Sequence, residues 1–279
     1  MLGSGTPNAD PDHSGPSVAI VVGGSTYLVD AGPGVVRRAA LALRVDSIAA
    51  LRMPNLDRVF ITHLHSDHTT GLPDLMLTPW VLDRTRPLEV YGPPGTARMV
   101  RLLQQAYSED IELRLHGGEP SNKTGYVSVA HDVNAGVVYR DSNVTVTAFD
   151  VAHGKWEHAY AYRFVTRDRV IVISGDTRPT DAIVRACDGC DVLVHEVYSA
   201  KQLLTRTPDW QTYHRAYHTS GVELGEIAAR ARPKLLVLYH QPPAAGAGPM
   251  GPGPERGYET LRTLYAGAFV VARDLDVYR

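Results

Sequence analysis

The feature that most constrains this chain is a dense run of histidines that directly follows an apolar segment. Three imidazoles and one carboxylate occur within the sequence Thr62-His63-Leu64-His65-Ser66-Asp67-His68. Residues 58–62 are rich in β-branched and aromatic side chains, which predicts a short strand with the run on the loop that leaves it. Imidazoles mixed with a carboxylate are typical of hydrolytic metal sites. A histidine-rich surface loop is the alternative interpretation.

Spacing within the run indicates how its ligands divide between ions. Residues two apart in an extended segment lie on the same face, so His63 and His65 can reach one ion together. Asp67 and His68 follow and turn toward a second ion. The run therefore predicts ligands for two metal ions.

Further candidate ligands each follow a strand-like segment: His153 after residues 144–149, Asp176 after residues 171–173, and His240 after residues 235–239. Together with the motif His63-x-His65-x-Asp67-His68, they resemble the metallo-β-lactamase superfamily. The resemblance implies an α/β fold, the four-layer αβ/βα metallo-β-lactamase sandwich, which holds one or two metals.

The resemblance also implies how two divalent ions are held. One ion is expected to bind His63, His65, His153 and Asp176, and the other Asp67, His68, Asp176 and His240. Zinc is the expected metal, with manganese or iron as alternatives. Two ions about 3.5–4 Å apart can hold a bridging hydroxide and polarise the bond that it attacks. Asp67 is placed to orient that hydroxide and take its proton.

Two more motifs narrow the branch of the superfamily. The apolar segment 191–197 contains His195-Glu196, and His218-Thr219-Ser220 opens a helix-like stretch that extends to residue 231. They resemble motifs of the ribonuclease Z and arylsulfatase-like branch, which implies that Glu196 holds His218 beside the metals. His218 would then stabilise charge on a phosphoryl or sulfuryl oxygen, or protonate the leaving group. A helix cap with a surface histidine is the alternative for His218, and a buried structural role is equally open for His195.

One departure from ribonuclease Z concerns its substrate. That family carries a long tRNA-binding arm before the Ser-Gly-Asp-Thr strand, whereas here only residues 154–158 and a predicted hairpin of residues 159–173 fill this interval. The chain has 28 Lys and Arg against 30 Asp and Glu, a formal net charge of -2, and so gives no general sign of a basic nucleic-acid surface. We therefore expect a small-molecule ester, lactam or lactone substrate and consider tRNA unlikely.

Aromatic residues near the candidate ligands predict the lining of a cleft. They are Trp80, Trp156, Tyr213 and Tyr217. Such walls suit an aryl leaving group, although each tryptophan could equally fill the core. Residues 241–254 are rich in Pro, Gly and Ala and predict a mobile loop over the site.

Length and composition bound the remaining expectations. A chain of 279 residues that is 44% hydrophobic can bury one large core, so we predict a single domain over residues 1–279. Helices are predicted at residues 33–43, 96–107, 180–186, 220–231 and 255–265. Cys187 and Cys190 lack the second pair of a zinc knuckle, and two ordinary thiols are favoured over a local disulfide.

Neither a membrane span nor a signal sequence is evident, so the chain is predicted to be soluble, in the cytoplasm or, with a signal removed, the periplasm or outside the cell. A homodimer is left open. The favoured function is a dinuclear metal-dependent hydrolase of phosphodiesters or related aryl phosphate and sulfate esters, because of Glu196 and His218. A β-lactam or lactone hydrolase, in which His218 steadies an oxyanion, is the second hypothesis. A non-enzymatic metal-binding protein is the third.

Overall fold

The computed structural model describes residues 1–241 and 258–279. Internal contacts divide the chain into two compact units, the first comprising Met1–Gly3, His13–Asn134 and Asp274–Arg279, and the second Ser4–Asp12 and Ala135–Arg273. Each unit contains its own sheet and its own helices, which confirms the predicted α/β class. The single domain over residues 1–279 stays a prediction.

The first unit contains a five-stranded sheet whose strands follow one another in chain order. They are β1 (Val18–Val22), β2 (Ser25–Val29), β3 (Arg58–Phe60), β4 (Leu88–Gly92) and β5 (Ser128–Asp132). β1 and β2 form an antiparallel hairpin, and the other neighbours are parallel. The hairpin turn consists of Gly23 and Gly24, with φ of 57° and 81°. Two-residue hairpin turns require this left-handed conformation, which glycine adopts readily.

The helices of the first unit share one core with the sheet. They are α1 (Val35–Asp46), α2 (Ser66–Thr69), α3 (Leu72–Val81), α4 (Thr96–Ala106) and α5 (Ser108–His116). Val36 of α1 and Leu75 of α3 belong to the same buried cluster as Leu28, Val59 and Val90 of the strands. Each such aliphatic side chain stabilises the fold by about 1.5–3 kcal/mol when it is fully buried. The helices predicted at residues 33–43 and 96–107 are confirmed as α1 and α4.

The second unit contains a seven-stranded sheet in the order β12-β11-β10-β9-β8-β7-β6. Its strands are β6 (Gly136–Arg140), β7 (Thr145–Asp150), β8 (Tyr160–Val165), β9 (Val170–Ile173), β10 (Val192–Glu196), β11 (Leu235–Tyr239) and β12 (Phe269–Val271). β6 to β9 are antiparallel, and β9 to β12 are parallel. The predicted hairpin is therefore confirmed as β8 and β9. Because parallel strands end at one edge of a sheet, residues that follow β9, β10 and β11 lie near one another.

Helices of the second unit lie between β9 and β12 in the chain. They are α6 (Asp181–Cys187), α7 (Ala200–Leu203), α8 (Pro208–Tyr217), α9 (Gly221–Ala231) and α10 (Glu259–Leu264). Leu224 and Ile227 of α9 pack in one buried cluster with Leu193 and Leu236 of the sheet. The helices predicted at residues 180–186, 220–231 and 255–265 are confirmed as α6, α9 and α10. Residues 255–257 of the last prediction lie outside the described residues.

The two cysteines form a disulfide between Cys187 and Cys190, so the preference for two ordinary thiols was wrong. Both side chains are buried in the core of the second unit, at the end of α6 and in the turn after it. A separation of three residues permits either state, and the turn that brings the two side chains together is not visible in the sequence. Within residues 1–241 and 258–279, no helix is long and apolar enough to cross a membrane.

Candidate metal centre

The histidine run lies where the sequence predicts it, directly after β3. Its first half is extended, and its second half forms α2, a single helical turn that carries Asp67 and His68. His63, Asp67 and His68 are buried. A strand end followed by one helical turn therefore places the imidazoles and the carboxylate on a single short segment.

Distances within the first unit bring the four candidate ligands of this run together. Nε2 of His63 lies 2.9 Å from Nδ1 of His65, and the rings of His63 and His68 are 4.2 Å apart. Nε2 of His68 lies 3.5 Å from Oδ2 of Asp67. We refer to His63, His65, Asp67 and His68 as the first ligand cluster. Its donor atoms are the neutral imidazoles and carboxylate oxygens that suit zinc, iron and manganese.

A further acidic residue, Asp30, orients this cluster and was missed by the sequence analysis. It follows β2, is buried, and accepts a hydrogen bond from the backbone N–H of Thr62 at 2.8 Å. Its Oδ2 lies 2.8 Å from Nδ1 of His68. A carboxylate accepts at this distance, so Nδ1 of His68 donates and Nε2 is left to face a metal. The available signal was an aspartate directly after an apolar strand, and Asp176 likewise follows an apolar strand after two intervening residues.

In the second unit, His153, Asp176 and His240 form a second ligand cluster. Each follows a strand, β7, β9 and β11 respectively, and each is buried. Nδ1 of His153 donates to the carbonyl oxygen of Tyr217 at 2.8 Å, which turns Nε2 toward the carboxylate of Asp176. Oδ2 of Asp176 lies 3.9 Å from Nε2 of His153 and 3.5 Å from Nε2 of His240.

These spacings agree with ligands around one ion. Two atoms each bound at about 2.1 Å, in tetrahedral geometry, lie about 3.4 Å apart. Oδ2 of Asp176 is 3.5–3.9 Å from nitrogens of His153, His240 and His218. The ligand atoms of Asp176, His218 and His240 all lie within 4.8 Å of one another. The donor set of the second cluster therefore fits a divalent metal ion.

The pair Glu196 and His218 lies beside the second cluster. Glu196 ends β10 and is fully buried, and its Oε1 is 3.2 Å from Nδ1 of His218. The same oxygen accepts hydrogen bonds from the backbone N–H groups of Thr177 and Thr219, both at 3.1 Å. Burial, and next the charge of Asp176, raise the pKa of Glu196 well above its ordinary value.

The alternative interpretation of the His218 segment is correct in one respect only. Ser220 caps α9, and its partner in the capping box is Glu223. His218 is nevertheless buried and contacts Glu196, so it is not a surface histidine. The cap anchors the start of α9, and His218 lies in the residues that lead into it.

His195 has the structural role that the sequence left open. Its Nδ1 lies 2.6 Å from the carbonyl oxygen of Glu196, and burial lowers its pKa to about 4. Successive side chains of a strand point to opposite faces. Leu193 and Val197, two residues away on either side, belong to the buried apolar cluster of the second unit. His195 therefore points into this core, away from Glu196.

The predicted aromatic lining is only partly supported by the structure. Trp80 is buried in the first unit, where its indole N–H donates to the carbonyl oxygen of Asn122, so it fills the core instead. Tyr217 contacts His153 edge-on, with ring centroids 5.1 Å apart, and Tyr213 stacks on Tyr217. Trp156 is 37% exposed on the loop after His153. Apart from Gln241, the predicted loop 241–254 lies outside the described residues.

Comparison with known proteins identifies the family. A model of the Beta-lactamase superfamily domain matches residues 25–241. A protein named Ribonuclease Z from Mycobacterium bovis (strain BCG / Pasteur 1173P2) is 33% identical over 280 residues, covering 99% of this chain and 95% of the relative. Ribonuclease Z from Mycobacterium tuberculosis (strain ATCC 25618 / H37Rv) is 31% identical with the same coverage.

Solved structures share the fold. The metallo-beta-lactamase fold protein YhfI from Bacillus subtilis superposes with a TM-score of 0.72 at 19% identity, covering 98% of this chain and 95% of that protein. The short form of human tRNase Z superposes with a TM-score of 0.72 at 21% identity, covering 100% of this chain and 97% of that protein. These similarities confirm the metallo-β-lactamase α/β sandwich.

The expectation that tRNA is unlikely as a substrate was wrong. The chain covers 95% of the Ribonuclease Z from M. bovis, so no large segment of that relative is missing here. A missing arm therefore does not separate this chain from proteins named Ribonuclease Z. The net charge of -2 is a sum over the whole chain, and such a sum does not describe a local surface. The chain belongs to the metallo-β-lactamase superfamily and, within it, to the ribonuclease Z branch of metal-dependent, phosphodiesterase-like hydrolases.

Proposed function

We propose that this protein is a dinuclear metal-dependent phosphodiesterase that acts on RNA. The observation that carries the proposal is the carboxylate of Asp176, whose Oδ2 lies 3.9 Å from Nε2 of His153 and 3.5 Å from Nε2 of His240, with all three residues buried. Sequence relatives named Ribonuclease Z support RNA as the substrate class, and tRNA precursors are within it.

The proposed ligands come from both clusters. His63, His65, His153 and Asp176 would hold one ion, and Asp67, His68, Asp176 and His240 would hold the other. Zinc is the first candidate, with manganese or iron as alternatives. When bound, such ions supply Lewis acidity toward the phosphoryl group and lower the pKa of water. Asp30 and the carbonyl of Tyr217 support the scheme, because each occupies Nδ1 of a proposed histidine ligand and leaves its Nε2 to the metal.

Asp67 and His218 are proposed to move the protons. The carboxylate of Asp67 would orient the attacking water and accept its proton. Glu196 occupies Nδ1 of His218, which leaves Nε2 of that ring to donate a proton to the leaving oxygen. Hydrolysis of a phosphodiester needs both transfers, because the attacking water loses a proton and the leaving alkoxide gains one. Burial of Glu196 strengthens its interaction with a protonated imidazole.

The test is steady-state hydrolysis by zinc- or manganese-loaded protein of two substrates, bis(p-nitrophenyl) phosphate and a tRNA precursor with a 3′ extension. Turnover of both is expected, with loss of turnover in Asp67→Ala. The matched control is Asp46→Ala, which removes an exposed carboxylate of α1 in the same unit. It should retain the full rate.

The outcome that overturns the proposal is a protein that holds two metals per chain and hydrolyses neither substrate. Opening of a lactam or lactone ring by the same preparation would then support the second hypothesis. That hypothesis otherwise rests on the fold alone, and one fold hosts many chemistries.

A further inference from the structure

α8 presents aromatic side chains that the fold does not bury. None of the residues of Pro208–Tyr217 is buried, and Trp210 is 53% exposed. Trp210, Tyr213 and Tyr217 are spaced three and four residues apart, so they lie on one side of the helix. We call these three residues the α8 platform. Helices of this length normally bury an apolar face, so an aromatic face that is left accessible indicates a binding surface.

The rings of the platform form a continuous series that begins at the second ligand cluster. Tyr217 lies against His153, and Tyr213 stacks on Tyr217 with centroids 4.3 Å apart and planes inclined by 19°. Trp210 then meets Tyr213 edge-on at 5.5 Å. The series therefore runs from a proposed metal ligand out to an exposed indole.

The position of the platform is set by a glycine. A Cβ atom on Gly154 would overlap the ring of Tyr217, so this ring occupies the space directly over the residue after His153. Gly154 also has a φ of 56°, which other residues seldom adopt. The base of the platform is thus tied to the loop of a proposed metal ligand.

Tyr213 also lies beside the proposed proton donor. The ring centroids of Tyr213 and His218 are 5.9 Å apart. A group stacked on the outer rings of the platform would consequently be close to the leaving oxygen that His218 is proposed to protonate.

Exposed cations border the platform within the second unit. Lys155 follows Gly154, and its backbone N–H lies 3.4 Å from the hydroxyl of Tyr217. Arg178 follows the Asp176 motif, and its backbone N–H donates to the carbonyl oxygen of Ala152 at 2.8 Å. Arg215 lies on α8 but is two residues from both Tyr213 and Tyr217, so it is on the other side of the helix. Asp209, Glu157 and Asp181 are exposed acids nearby in sequence, and Asp181 is paired with Arg230 at 2.8 Å. Aromatic rings interleaved with cations are typical of surfaces that bind single-stranded nucleic acid.

We propose that the α8 platform stacks nucleobases of single-stranded RNA next to the scissile phosphodiester. This inference rests on the proposed function for the position of that phosphodiester, but base stacking itself can be measured without turnover. Stacking on aromatic side chains tolerates every base, because each base has a π face. The platform therefore favours polynucleotides over diesters without bases and does not select a sequence.

The test compares the affinity of the full chain for two labelled probes by fluorescence anisotropy. One probe is a short 2′-O-methyl oligoadenylate, which resists hydrolysis, and the other is an abasic chain with the same number of phosphates. The wild type should bind the oligoadenylate more tightly. Trp210→Ala and Tyr213→Ala should each raise its Kd by about tenfold and leave the Kd of the abasic chain unchanged. Tyr213→Phe keeps the ring and should retain the wild-type Kd.

The matched control is Leu204→Ala, since Leu204 is a 67% exposed apolar residue of the same unit outside the platform. Its affinity for both probes should equal that of the wild type. Equal weakening for both probes, or no weakening in either platform variant, would overturn the proposal. So would a change of oligomeric state in Trp210→Ala without a change of Kd, which would assign the surface to protein association.

The two proposals fail in different ways. Absence of turnover on both diesters rejects the phosphodiesterase, whatever the probes do. Turnover together with equal affinity for the two probes rejects the platform alone.

Discussion

The two ligand clusters are assembled differently. The first cluster lies within six residues, so one strand end and one helical turn bring its side chains together. The second cluster comes from three separate strand ends, and its geometry depends on the order of β7, β9 and β11 in the sheet. A contiguous motif is therefore robust to changes elsewhere in the fold, whereas a scattered one requires the whole sheet to form.

The two units nevertheless share one device, a buried carboxylate against Nδ1 of a histidine. Asp30 contacts His68 at 2.8 Å, and Glu196 contacts His218 at 3.2 Å. His68 is a proposed metal ligand, and His218 is a proposed proton donor. The same arrangement should thus control metal affinity in the first unit and the rate of the chemical step in the second.

After the loss of turnover expected for Asp67→Ala, the largest expected effect is that of His218→Ala. Loss of a general acid should lower kcat on RNA by about 10²–10⁴-fold, while the number of metals per chain stays the same. The fall should be smaller on bis(p-nitrophenyl) phosphate, because nitrophenolate leaves without much need of a proton. Kinetics on both substrates and metal analysis check this. His116→Ala, at an exposed site on α5, is the control. Loss of metal in His218→Ala would make His218 a ligand instead.

Asp30→Ala should have an intermediate effect, on metal affinity. A carboxylate that orients a ligating histidine contributes about 10–100-fold to affinity. Competition with a chelator would measure the change in Kd for zinc, with Asp46→Ala as the control. Asp30→Asn retains an oxygen that accepts from the backbone N–H of Thr62 but removes the negative charge beside Nδ1 of His68. It therefore separates the effect of Asp30 on His68 from its contribution to the fold. If Asp30→Ala lowered kcat and left the Kd for zinc unchanged, Asp30 would act on the chemical step as Glu196 is proposed to do. The proposed difference between the two carboxylates would then be wrong.

Gly154→Ala should leave metal affinity and the chemical step unchanged and should act on stability alone. Its matched control is Gly189→Ala, because both glycines have positive φ, at 56° and 82°, but a Cβ on Gly189 meets no atom within 4 Å. Both variants should lose about 1–2 kcal/mol of the free energy of unfolding from the left-handed backbone. Gly154→Ala should lose about 1–3 kcal/mol more, because the ring of Tyr217 must move. Denaturant unfolding of the metal-free proteins measures the difference, and equal losses would contradict the packing role.

Strand ends were the best-predicted part of the structure. The apolar segments before His63, Asp176 and His240 all form strands, because runs of β-branched residues bounded by Gly, Asp and Pro leave little alternative. The start of α9 was also expected from Thr219 and Ser220. The scattered ligands could be assigned only through resemblance to a family, since nothing in a single sequence states which strands become neighbours.

Errors arose where a property depends on contacts between distant residues. Trp80 was expected in a cleft and is buried, because a tryptophan suits either environment and its neighbours decide. Asp30 was missed because one aspartate after a strand is common, and only its approach to Thr62 and His68 distinguishes it. The exclusion of tRNA failed because it relied on a missing arm, and the chain covers 95% of a relative named Ribonuclease Z, so no large missing segment separates the two.

The sequence by itself determined the first ligand cluster and the types of donor atom, because these follow from spacing within a few residues, and its motifs indicated the class of fold through their resemblance to a family. Only the tertiary structure decided which nitrogen of each histidine faces inward, that His195 points into the core, that Tyr217 lies against His153, and that Tyr213 lies beside His218. The physical reason is that ring orientation and burial are set by hydrogen bonds and packing between strand ends that are remote in the chain.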